Sequence, residues 1–109
     1  MTILVYLPKN APKGVNPAWL YGTDIVDELK RREHDWIFKE VDGSCDECIW
    51  DGVDVLLRPV RHDGISRMVL EAFRRDIPYI WSYETGEFIE PNVDDIERRL
   101  LKLEEKLHE

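Results

Sequence analysis

Two carboxylates, Asp63 and Glu71, stand with seven residues between them on either side of what reads as a helix start. The stretch Asp63-Gly64-Ile65-Ser66-Arg67-Met68-Val69-Leu70-Glu71 follows the apolar run Val55-Leu56-Leu57 and leads through Ala72-Phe73 to Ile77-Pro78. That order is strand, tight loop, helix, next strand. Asp63 then falls in the loop at the strand's carboxyl end, and Glu71 about two helical turns along. Gly64 lets the backbone come close to a ligand. The free N–H groups from Ile65 onward favour an anion such as phosphate. A carboxylate on each side of a phosphate cradle suits a diphosphate flanked by sugar hydroxyls, which is the chemistry of a nucleotide sugar.

The same residues have structural uses. Glu71 lies four residues after Arg67 and four before Arg75, the spacing of a surface ion-pair ladder worth a few tenths of a kcal/mol per pair. Ile65, Val69, Ala72 and Phe73 supply a core face at helical spacing and leave Glu71 off it. His62 precedes the Asp63-Gly64 pair. With no base or nucleophile near it in sequence, it reads as a loop or donor-contact residue. Arg58 and Arg61 are candidate partners for the diphosphate, with pairing to the chain's many carboxylates as the preferred reading of each.

The elements that must position these groups alternate. Thr2–Leu7 is a near-continuous apolar run, as a buried parallel strand requires. Thr23 is placed to cap a helix through Arg32, with Ile25, Val26 and Leu29 as its apolar stripe and Lys30-Arg31-Arg32 at its carboxyl end. Asp35–Lys39 reads as a second strand, and residues 44–51 as a connecting segment or helical turn. A third strand follows over 54–58, a helix over 65–75 and a fourth strand over 78–82. Pro91 and Asn92 introduce a last helix over 93–108. Short-connected alternation predicts one α/β domain of 109 residues, a Rossmann-like or flavodoxin-like parallel sheet of about four strands covered on both faces. Ligands in such sheets sit at the carboxyl ends of the strands.

Charge narrows the function classes. With 23 acidic against 15 basic residues the formal charge is −8, which opposes binding to nucleic acid. No apolar run approaches the roughly 20 residues that span a bilayer, and no secretory leader opens the chain, so a cytoplasmic protein is expected. Absence of Gln and 35% charged residues lean toward a thermophile. Cys45-Asp46-Glu47-Cys48 is half of a structural zinc site with no second half, so two reduced cysteines are expected, a disulfide being the alternative.

The run Asp54–Gly64 through Glu71-Ala72-Phe73, then Ile77–Ser82, resembles the donor-binding half of retaining GT-B glycosyltransferases of the group 1 type, whose signature is Glu, seven residues, Glu. The resemblance covers roughly residues 53–83. It implies that Glu71 holds the ribose of a nucleotide-sugar donor and that Asp63 faces the transferred sugar. Asp63 stands where the signature has Glu, one methylene shorter. Leu7–Val15 is similar to the loop in which these enzymes carry a basic pair against the diphosphate, here Lys9 and Lys13. Pro8 replaces the usual Gly, Lys9 the usual Arg, and the spacing is one residue shorter. Two solvated lysines are the alternative. The resemblance further implies that no metal is needed, because helix amides and basic side chains neutralise the phosphates.

A complete enzyme of that kind has two domains facing a cleft, and 109 residues make room for one. An acceptor-domain partner, or self-association through the last helix, is therefore expected. Ile96, Leu100, Leu103 and Leu107 in that helix repeat at coiled-coil spacing, and packing on the sheet is their other use. Two other classes remain open. One is a nucleoside deoxyribosyltransferase-like enzyme, although its glycine normally stands about four residues before the Glu and Gly64 stands seven before Glu71. The other is a non-catalytic assembly module.

Overall fold

The computed structural model describes residues 1–7, 13–41, 47–62 and 66–108. Four strands, β1 (Thr2–Tyr6), β2 (Ile37–Val41), β3 (Val55–Arg58) and β4 (Tyr79–Trp81), form one all-parallel sheet in the order β2-β1-β3-β4. Four helices, α1 (Pro17–Leu20), α2 (Thr23–Arg31), α3 (Arg67–Arg74) and α4 (Val93–Leu107), and a 3-10 turn over Glu47–Trp50 complete it. The expected small α/β Rossmann-like architecture is the one observed.

The central strands explain the pattern. Ile3, Leu4 and Val5 of β1 and every residue of β3 are buried, because helices cover both faces and neither side tolerates a polar residue in mid-strand. Ile3, Val5, Val55, Leu57 and Ile80 face α2 (Ile25, Val26, Leu29) and α4 (Ile96, Leu100). Leu4 and Leu56 face Trp50 and the Met68, Val69 and Ala72 of α3. Fully burying each of these aliphatic side chains contributes about 1.5–3 kcal/mol.

Four local expectations change. Strand β2 starts at Ile37 rather than Asp35, since pairing begins where Ile37 N–H donates to Met1 O at 2.9 Å. Trp36 instead turns into the α2–α4 core, and its Nε1 donates to Glu104 at 2.9 Å. Thr23 does not cap α2; it is the first helical residue, and Gly22 at φ 73° is the cap. A Cβ on Gly22 would lie 2.1 Å from Pro59 O, so close backbone approach requires glycine there. The loop expected before α2 contains α1, capped by Asn16 Oδ1 accepting from Ala18 N–H at 3.0 Å, with Pro17 at the first helical position. Finally, Phe73 is 68% exposed and not a core residue. With Ser66 as N-cap, Met68, Val69 and Ala72 form the inward arc of α3 at 100° per residue, and Phe73 falls just outside it.

Helix α4 uses most of its apolar repeat on the sheet. Ile96 and Leu100 are buried and Leu103 packs against the same core, whereas Leu101 and Leu107 are exposed. Asn92 Oδ1 caps its start by accepting from Asp95 N–H at 3.0 Å. Arg32 ties α2 to α4 through Asp94 at 2.7 Å and Glu97 at 3.0 Å, and His34 Nε2 meets Glu97 at 2.7 Å. The Glu97 carboxyl is held below its ordinary value chiefly by His34 and then by Arg32. No helix among the described residues is long and apolar enough to cross a membrane.

Candidate ligand-binding rim

Strand order fixes where a ligand crevice forms. From β1 the chain moves outward to β2, then crosses back to β3 on the other side of β1. Beyond β1 one connection runs over the α2–α4 face; beyond β3 the next runs over the α3 face. Their divergence makes the carboxyl ends of β1 and β3 the switch point, the gap between diverging connections at which open α/β sheets bind ligands. The two loops singled out by sequence, residues 7–16 and 59–66, both leave from this gap.

Lys9, Asp63, Gly64 and Ile65 lie outside the described residues, as does Cys45. Lys13 is exposed in the turn before α1. His62 is exposed on the β3–α3 loop. Ser66 is buried, and its Oγ accepts from Val69 N–H at 3.2 Å, so it caps α3 at Arg67.

Glu71 sits on the second turn of α3. Its carboxylate accepts from Arg75 Nε at 2.8 Å and approaches Arg74 Nη1 at 3.7 Å. Of the two expected rungs, the one to Arg75 forms, while no Arg67–Glu71 pair occurs among the described residues. Arg75 also lies over the Trp50 ring at 5.8 Å. A carboxylate offers about four acceptor positions, so the arginine leaves room for hydroxyl donors on the side chain, which is 31% exposed.

Arg61 is a latch. Nη1 and Nη2 donate to the two oxygens of Asp24 at 2.8 Å each, Nη1 also to Trp19 O at 2.6 Å, and Nε to Glu90 at 2.9 Å. Its backbone N–H donates to Leu20 O at 2.8 Å, and its guanidinium stands 5.3 Å from the Trp19 ring. The Asp24 hydrogen bond lowers the Asp24 carboxyl below its ordinary value and raises the guanidinium above its own. Four hydrogen bonds to Asp24, Trp19 O and Glu90 leave the guanidinium little capacity for a diphosphate; its work is to clamp the β3–α3 loop to α1 and α2.

Arg58 ends β3 beside Trp81 in the register, largely buried, with its guanidinium 5.0 Å from the Tyr6 ring and Nη1 3.7 Å from Met68 Sδ. Tyr6 in turn meets Tyr21 edge-on at 5.8 Å. This aromatic and cationic floor under the gap was not foreseen for Tyr6, Tyr21 or Trp81. The available signal was an aromatic residue at the last position of two strands.

No family model, curated protein or solved structure matches this chain. Among the described residues no three His, Cys, Asp or Glu side chains gather as a metal site. The Rossmann-like sheet and the residues at its rim therefore carry the functional reading.

Proposed function

We propose that the chain binds a nucleotide sugar at the carboxyl rim between β1 and β3, as the donor-binding half of a glycosyltransferase. The observation that carries the reading is the switch point: both candidate loops leave from it, and α3 starts at its edge. In this reading the amides at Gly64 and Ile65 take the diphosphate together with Lys9 and Lys13. Asp63 faces the sugar, and Glu71, oriented by Arg75, receives the ribose hydroxyls. Sugar transfer then needs an opposing domain, on this or another polypeptide, to seat the acceptor and exclude water.

Calorimetric titration with UDP-glucose, GDP-mannose and ADP-glucose tests this. One rim without its opposing wall should bind a conjugate with a Kd on the order of 0.1–1 mM, equivalent to about 4–5.5 kcal/mol. Binding of free nucleosides with indifference to the diphosphate would favour a nucleoside-processing enzyme instead. Silence toward both sets would leave an assembly module as the surviving reading.

A further inference from the structure

A cleft of about 160 Å3 opens at the carboxyl end of β4, between Pro59 just after β3, the β4–α4 loop and α4. Ser82 follows directly after β4 and lines it. The residue is 7% exposed, and its Oγ has no hydrogen-bond partner among the described residues. Burying a hydroxyl without a partner costs about 1–3 kcal/mol, so such a group calls for an occupant able to bond it. The surrounding loop is built rather than loose. Ser82 O accepts from Ile89 N–H at 2.8 Å, and Trp81 N–H donates to Glu84 Oε1 at 2.6 Å.

Charge around the cleft narrows the occupant. Glu84, Glu90 and Asp95 line it, and each carboxylate already has a guanidinium. Arg99 grips both oxygens of Glu84 at 2.8 and 2.7 Å, Arg61 meets Glu90 at 2.9 Å, and Arg98 pairs with Asp95. Arg61 is shared with Asp24, so the pairing leaves a slight acidic excess but no unengaged guanidinium for a phosphate, and each lining carboxylate is already held by an arginine rather than open to an ammonium ion. What remains is a mixture of donors and acceptors beside the apolar walls of Ile80 and Ile89. A neutral hydroxylated ring matches it, because each hydroxyl both donates and accepts while the C–H face lies on aliphatic carbon.

We propose that this cleft is a binding site for a neutral monosaccharide or cyclic polyol, with Ser82 Oγ as a direct hydrogen-bond partner. Neither Lys13 nor Glu71 lines it, so failure of the donor-site reading leaves it standing.

The experiment is an NMR shift titration of the whole chain with glucose, N-acetylglucosamine and myo-inositol, beside inorganic phosphate and methylammonium. Saturable shifts are expected from at least one hydroxylated probe at residues 80–99, with millimolar affinity. Ser82→Ala should melt at or above the parent temperature, since an unsatisfied hydroxyl is removed, and bind that probe about threefold to tenfold more weakly. Ser82→Val, which adds bulk at the same point, should abolish binding while keeping the dispersed spectrum. Absence of cleft shifts with every hydroxylated probe overturns the proposal, as does a response to phosphate or methylammonium alone. Unchanged affinity in a folded Ser82→Ala chain overturns the role of the hydroxyl.

Discussion

Replacing Arg61 by alanine separates a latch from a ligand contact. Its side chain is 8% exposed, while its partners Asp24 and Glu90 are 53% and 64% exposed. Solvent screening therefore limits the two ion pairs to about 0–1 kcal/mol each. The charged donor on Trp19 O adds about 1.5–3 kcal/mol, and the stacking on Trp19 about 0.5–1 kcal/mol. Because these contacts share one side chain they do not add fully, and a loss of about 2–4 kcal/mol is expected. For a domain of this size the melting temperature should fall by about 10–20 °C. Arg61→Lys should recover no more than half, since a single ammonium cannot span both oxygens of Asp24 and reach Trp19 O. Calorimetric melting of the three chains at one pH is the assay. A drop of less than about 3 °C for Arg61→Ala would refute the latch, and a selective loss of nucleotide affinity in its place would return Arg61 to the donor site.

Other expectations follow from the same geometry. Gly22→Ala should destabilise by more than the roughly 1–2 kcal/mol of a left-handed alanine, because its Cβ meets Pro59 O at 2.1 Å; a melting temperature equal to the parent's would contradict that contact. The Glu97 and Asp24 carboxyls are both depressed on folding, so their stabilisation is complete above the unfolded range near pH 4–5 and is lost as pH falls through the lowered folded values. Glu97→Gln should flatten that acid limb in a melting series from pH 6 to pH 2, and an unchanged limb would count against the His34–Glu97–Arg32 cluster. Glu71→Ala should weaken nucleotide-sugar binding by about 1.5–3 kcal/mol with only a few tenths of a kcal/mol lost in stability; the inverse pattern would reduce Glu71 to a rung beside Arg75. The isolated 109 residues should show at most slow donor hydrolysis in a coupled assay, and rapid transfer to any acceptor would mean that one sheet builds a whole active site.

What was legible in the chain is what local patterning governs. Thr2–Tyr6 and Val55–Arg58 carry apolar runs that only a strand covered on both faces needs, and α2 and α4 show inward stripes with capping charges. Parallel topology followed from that alternation. Distant pairings were not legible. Arg61 meets Asp24 and Glu90 across 37 and 29 residues, and nothing local marks it as a clamp. Gly22 reads as an ordinary turn residue until Pro59 is brought against it. Trp36 reads as part of a strand until Glu104, 68 residues away, takes its Nε1–H. Of the candidate site, the loops could be assigned to strand ends from sequence. Only the order β2-β1-β3-β4 brings the loops after β1 and β3 to one gap.

The most direct test of nucleotide-sugar binding at that gap is amide shift mapping on the whole chain with UDP-, GDP- and ADP-sugars, followed by the same titration on Glu71→Ala. Saturable shifts should concentrate at residues 59–72 and in the loop after β1 for at least one conjugate, and weaken in the variant. Shifts that miss residues 59–72 for every conjugate would contradict the account.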